Sequence, residues 1–195
     1  MVLALPARVA LETLSFQPEL ALDRQDDLNS VATWMAGHAK AIAIYERPFW
    51  REAGLSGDVI SQLGPLSEIH DASAKDQKLY ALFGFLSVPA KHRLGRESQI
   101  KQEIVGQLSR LFGSAAAKPL DLLYKDWAVD NLVATTLDQS LPNHHPLNNW
   151  KTTTDWQASL IWSGSEAAQG PYNGYIEGAL VASEQALAHL DSNTE

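Results

Sequence analysis

The sequence predicts an α+β fold, a mixed β-sheet with flanking helices that ends in a strand–turn–helix. Three observations predict it. Short runs rich in apolar, branched and aromatic residues recur through the first 130 residues. Residues 96–112 repeat apolar side chains at helical spacing. Near the C-terminus a short apolar run, a glycine-containing turn and a second helical stripe follow one another. The coarse order is β-β-β-β-α-β-β-α, which suits an α+β domain.

Val2 to Leu5 reads as a short buried strand stopped by Pro6. A strand set directly on Met1 leads to the expectation that a segment upstream is missing. Ala39 to Tyr45 alternates as a strand, and Pro48, Gly54 and Gly57 then break the pattern into a loop. Leu66 to His70 is a further strand. Leu79 to Val88, closed by Pro89, is the expected central strand. Arg96 to Phe112 is a helix whose apolar face carries Ile100, Ile104, Val105, Leu108, Leu111 and Phe112, with Gly113 as its stop. Leu122 to Val129 and Ser159 to Trp162 are two more strands. The irregular stretch from Asn131 to Asp155 between them is long enough to suggest a functional loop. The last helix is expected from Gly174 to Leu190, with Asn173 as its N-cap.

Composition narrows the function. A chain of 195 residues makes one domain or two very small ones. With 45% apolar and 19% charged residues it is not a disordered chain. No apolar run reaches membrane length. The start lacks a basic n-region and a cleavage pattern, so no signal peptide is expected and a cytoplasmic location is. With 23 acidic and 15 basic residues the net charge is −8. Such a chain repels phosphate backbones, and its basic residues do not cluster, so nucleic acid is not an expected partner. Cysteine is absent. That excludes disulfides, thiolate metal sites, cysteine nucleophiles and thioether-linked cofactors.

The most informative segment is Ile161 to Ala179, IWSGSEAAQGPYNGYIEGA. A helix that follows such a turn presents unpaired first-turn amides and the positive end of its dipole, which suit an anionic or carbonyl oxygen. Gly174 and Gly178 permit close approach of a flat ligand or another backbone. Glu166 can accept hydrogen bonds from ligand hydroxyls. From chemistry alone an ordinary strand–turn–helix is the simpler reading, because the segment is neither G-x-G-x-x-G nor a P-loop. Of six tryptophans, most read as core and rim packing. The adjacent His144 and His145 lack metal-ligand spacing and a third group, so no metal site is expected. No G-x-S-x-G elbow surrounds Ser73, which removes a His70–Asp71–Ser73 nucleophile from consideration. Asp23, Asp26 and Asp27 read as a solvated charge run.

Gly164-Ser165-Glu166 followed by Gly174-Tyr175-Ile176-Glu177-Gly178-Ala179 resembles the flavin-containing monoamine oxidase family, which ends on a G-T/S-E turn and a G-Y-x-E-G-A helix start. Leu5-Pro6 with Phe16-Gln17-Pro18, Tyr45-Glu46-Arg47-Pro48-Phe49-Trp50-Arg51 and Lys125-Asp126-Trp127 match further family segments in order. The resemblance spans nearly the whole chain and is greatest to bacterial soluble members. It implies an oxidoreductase that passes a hydride from a neutral amine to flavin N5, with oxygen reoxidising the flavin to give hydrogen peroxide. It implies FAD contacts at Gly164, Ser165, Glu166, Gly174, Tyr175 and Ile176. Ser165 and Glu166 would face the ribityl and diphosphate region, and the amides of Tyr175 and Ile176 the flavin N1–C2=O edge. Tyr175 and Trp127 would act at the amine, Tyr175 as one wall of an aromatic slot and Trp127 near the ring.

Three positions depart from the family. Its second slot aromatic falls near Leu137, its lysine near flavin N5 at Thr13, and its FAD-tethering cysteine near Thr136, so FAD would be noncovalent. The family's N-terminal G-x-G-x-x-G unit has no counterpart here. The expected division is therefore residues 1–130 as a partial substrate-binding domain and 131–195 as the C-terminal part of the FAD domain. The expected function is an amine-oxidase segment, inactive alone, that pairs with an N-terminal half. The alternative is a non-catalytic remnant serving as an interaction or dimerising module. An unrelated α+β domain is a third reading, which the ordered matches disfavour.

Overall fold

The computed structural model describes residues 1–75, 78–140, 154–155, 159–168 and 170–192. Its elements run β1 (Val2–Leu3), α1 (Ala7–Thr13), α2 (Leu22–Ser30), β2 (Ala39–Tyr45), α3 (Phe49–Glu52), β3 (Val59–Ile60), β4 (Leu66–Asp71), β5 (Tyr80–Leu86), α4 (Glu97–Phe112), β6 (Asp121–Asp126), β7 (Thr154–Asp155), β8 (Leu160–Trp162) and α5 (Ile176–Ser192), with short 3-10 turns between some of them. The α+β class is as the sequence predicts. The chain divides into two compact units, one of residues 37–129 and one of residues 1–36 joined by 130–195. A single cut near residue 130 therefore does not separate them, because the first 36 residues belong with the C-terminal segment.

In the unit of residues 37–129, the described strands form an antiparallel sheet in the order β3-β4-β5-β2-β6. Successive residues of β2 alternate between fully and partly buried. Ala39, Ala41, Ala43 and Tyr45 face the core with Leu66, Ile69, Leu82 and Leu86. Helix α4 covers that face with Ile100, Ile104 and Leu108, one stripe at i, i+4 and i+8. Leu111, expected on the buried face, is exposed, and Gln107 is buried in the stripe instead. The Gln107 side chain accepts from the Leu66 amide at 2.9 Å and donates to the Leu66 carbonyl at 2.8 Å. It satisfies a backbone pair beside the register irregularity of β4, where leaving either group unpaired is costly.

In the unit of residues 1–36 and 130–195, β1 runs parallel to β8, and β7 pairs antiparallel on its other side. The parallel pairing of the fold thus lies in this small sheet. Its core gathers Ala7, Ala10, Leu20, Leu28, Val31, Leu160, Trp162 and Ala182.

Several sequence expectations need correction. The first strand ends at Leu3, and two helices that the sequence reading does not place, α1 and α2, follow it. Asp23, Asp26 and Asp27 are exposed, but on α2. The strand expected over 122–129 stops at Asp126, and residues 127–129 form a 3-10 turn. His144, His145, Trp150 and Trp156 lie outside the described residues, as does most of the expected long loop.

Candidate functional site

The strand–turn–helix singled out from the sequence forms β8, a 3-10 turn at residues 165–167, and α5. Side chains are short where the backbone folds on itself. A Cβ on Gly164 would stand 3.0 Å from the Leu5 carbonyl oxygen. A Cβ on Gly178 would stand 2.1 Å from the Tyr172 carbonyl oxygen, closer than any real contact. Gly174 has a φ of 76°, in the left-handed region that favours glycine, and donates its amide to Ser165 O at 3.0 Å.

Helix α5 begins at Ile176 rather than Gly174, three residues past Asn173. The Asn173 side chain is buried and donates to Glu166 O at 2.6 Å and Ala168 O at 2.9 Å, tying the 165–168 turn to the helix approach. The Tyr175 amide, expected to aim outward, donates to Tyr172 O at 3.0 Å. Tyr175 and Ile176 stand at the head of α5, 46% and 86% exposed.

Glu166 is 5% exposed, beneath the turn rather than on its surface. Burial pushes its carboxyl above the usual carboxylate range, and the charge of Asp138 adds to this against hydrogen bonds from its own backbone, Ser165 and the Trp34 backbone. Asp138 is itself buried. Arg8 Nη1 donates to its Oδ1 at 2.5 Å, the Thr33 amide reaches that oxygen at 3.3 Å, and Thr135 donates its amide and hydroxyl to Oδ2 at 3.0 and 2.9 Å. Sequence reasoning missed this cluster. Its legible trace is Thr135-x-x-Asp138, the spacing of a capping box, which the structure forms at the 136–139 turn. Thr136 and Leu137 ride on that turn, both exposed.

The structure thus gathers Gly164, Ser165, Glu166, Gly174, Tyr175 and Ile176 at one turn and helix head. Trp127 belongs to the other unit, half-buried in the 127–129 turn with Lys125 Nζ 4.7 Å from its ring centre. Of the Tyr45–Arg51 motif, Tyr45, Phe49 and Trp50 are core, while Glu46, Arg47 and Arg51 are exposed. Tyr45, Phe49 and Trp50 pack edge to face, with ring centres 4.9 to 5.9 Å apart. Trp50 Nε1 and Arg51 Nε both donate to Asp71 Oδ2, at 2.8 and 2.5 Å. Ser73 serves the same turn: its amide donates to Asp71 Oδ1 and its hydroxyl accepts from the Ala81 amide. Among the described residues no cluster of histidine and carboxylate side chains is placed to hold a metal. None of their helices is long and apolar enough to cross a membrane.

Residues 1–187 match the family model described as flavin containing amine oxidoreductase. The chain belongs to this oxidoreductase family. It is 29% identical over 185 residues to a protein of Dictyostelium discoideum named probable flavin-containing monoamine oxidase A, covering 92% of this chain and 39% of that protein. It is 22% identical over 194 residues to flavin-containing amine oxidase B of Homo sapiens, covering 96% of this chain and 36% of that protein. The cyclohexylamine oxidase of Brevibacterium oxydans IH-35A superposes with a TM-score of 0.75 at 21% identity, over all of this chain and 43% of that one. That likeness shows the fold. The chain spans about two fifths of the length of the curated relatives it matches.

The residues at the head of α5 fit a flavin edge. Tyr175 and Ile176 are exposed, and the first-turn amides of a helix have no carbonyl partners within it. The Tyr175 amide, already engaged within the turn, is the departure from that fit.

Proposed function

We propose that this chain supplies the C-terminal, flavin-contacting portion of an FAD-dependent amine oxidase, and that turnover requires the N-terminal dinucleotide-binding half that the family carries. The observation that carries the reading is the family match over residues 1–187, joined to a G-S-E turn and G-Y-x-E-G-A helix start folded as one unit. Noncovalently bound FAD would accept a hydride from the α-carbon of an amine and return the electrons to oxygen as hydrogen peroxide. The chain's own residues prepare for this. Ser165 and Glu166 would meet the ribityl end. The amide of Ile176 and the N-terminal dipole of α5 favour negative charge at the N1–C2=O edge. Tyr175 would form one wall of the amine's path, and Trp127 would pack near the flavin ring; Leu137, where the family has its second slot aromatic, gives no aromatic face.

The test is direct. The purified chain is mixed with FAD and several amines, alone and together with a dinucleotide-binding half from a relative. Bound flavin absorbance and peroxide release are expected only from the mixture of both halves. Stoichiometric flavin binding and turnover by the lone chain would refute the need for a partner. Absence of flavin binding in both arms would refute the enzyme reading.

A second reading rests on one observation. Ile176, Leu180 and Leu187 form an exposed apolar stripe on α5. A dimerising module would bury it between two copies. Light scattering that gives a dimer, abolished by Leu180→Lys, would favour that reading over the first.

A further inference from the structure

We propose that Arg93 and Asp126 are positioning residues whose joint task is to set the orientation of Trp127. Residues Gly37 to Val129 contain every group involved. The Arg93 side chain is wholly buried and the Asp126 side chain is 8% exposed. Arg93 Nε donates to Asp126 Oδ2 at 2.7 Å and Nη2 to Oδ1 at 2.7 Å, a two-pronged pair. Two of the three remaining guanidinium hydrogens are also used: Nη1 donates to Val88 O at 2.6 Å and Nη2 to Gly37 O at 2.9 Å.

Trp127 is pinned on both sides of its Cα by this arrangement. The carboxylate of the residue before it is locked by Arg93. Its own amide donates to His38 O at 3.0 Å. The amide of the residue after it donates to Asp126 Oδ1 at 3.1 Å. The β-ladder ends in this same place, with Ala39 opposite Asp126, and the backbone then turns into a 3-10 turn. A side chain just past a strand end has no ladder to fix it. Here the clamp replaces the ladder.

Stability is a poor explanation for the pair. A buried ion pair gains little over well-packed apolar residues of the same volume, because both charges lose their hydration. What a planar guanidinium with four fixed acceptors supplies is one geometry. The side chain that inherits this geometry is Trp127, whose ring lies under Lys125. The importance of its orientation rests on the proposal that Trp127 takes part in amine oxidation; the clamp itself does not.

The experiment uses the full chain grown with 5-fluorotryptophan, whose six tryptophans give separate fluorine resonances. Trp127→Phe identifies the Trp127 line. Arg93→Lys keeps the charge and loses the two-pronged pairing; Asp126→Asn keeps the shape and loses the charge. Both variants are expected to shift or broaden the Trp127 line and leave the lines of Trp50 and Trp162, buried in the two cores, unchanged. A folded variant with a lowered melting temperature and an unmoved Trp127 line would overturn the proposal, since that is what a merely structural pair would give. If Asp126→Asn does not fold, Arg93→Lys decides alone. A parallel measurement follows the emission of FAD bound with the dinucleotide-binding half present. Trp127→Phe is expected to relieve quenching, and Arg93→Lys to reproduce part of the relief. Absence of bound-flavin absorbance from the wild-type mixture would defeat the proposed function, while the fluorine lines would still decide the clamp.

Discussion

Two carboxylates sit in opposite electrostatic circumstances, and each gives a pH signature. Burial raises the carboxyl of Glu166, so the folded state holds its proton more tightly than the unfolded chain does. The stability this contributes is complete below the unfolded value near 4.3 and is lost as pH rises through the higher folded value. Glu166→Gln is therefore expected to stabilise the chain at pH 7 and to leave it unchanged near pH 3.5, read as urea midpoints. Asp71 is the reverse. Burial opposes its charge, but hydrogen bonds from Arg51, Ser73 and Trp50 outweigh burial and hold it well below the usual carboxylate range. Its contribution is complete above the unfolded value near 3.9 and is lost as pH falls toward the folded one. Asp71→Asn is expected to cost about 1–2 kcal/mol at pH 7, the scale of hydrogen bonds to a charged group discounted for the exposed Arg51, and less at pH 3. Equal losses at the two pH values would contradict this.

At the scale of elements, α5 is held down by a contact that admits no side chain. Alanine in place of a mid-helix glycine gains up to about 1 kcal/mol from helix propensity. At Gly178 the added methyl meets the Tyr172 carbonyl, and overpacking of this kind costs about 1–3 kcal/mol or more. Gly178→Ala is expected to destabilise the helix head by about 2 kcal/mol, read by thermal unfolding; a rise in melting temperature would show that the turn yields easily. The same scale shows what the sequence could reveal. Strands β2 and β5 and helix α4 were legible because their buried residues repeat at period 2 or 3.6. Helix α1 was not, because alanines at positions 7 and 10 bury as well as leucines but leave little hydrophobic signal. Helix α2 hides its core contact in Leu28 and in Arg24, a charged residue that is buried. Asn173 has a further task that its spacing before the helix does not reveal: its side-chain NH2 ties two carbonyls of the 165–168 turn, which only the fold brings within reach. The candidate site was legible as a turn and a helix head. The Arg8–Asp138 pair behind it was not, since its partners lie 130 residues apart.

For the whole molecule, the discontinuous division matters most. Residues 1–36 and 130–195 share one core, and residues 37–129 build another around their own sheet. The chain enters and leaves the second unit at neighbouring points: β2 begins at Ala39, directly paired with Asp126 at the end of β6, and Arg93 grips Gly37 from the same place. The middle piece is therefore portable. Cloned by itself from Gly37 to Val129, it should unfold cooperatively on heating, with the slow backbone deuterium exchange of a formed sheet. Its outer pieces, spliced across the gap by a few glycines and serines, should retain their own cooperative transition. Such a layout lets recombination trade the interior cassette between family members without rethreading the host that receives it.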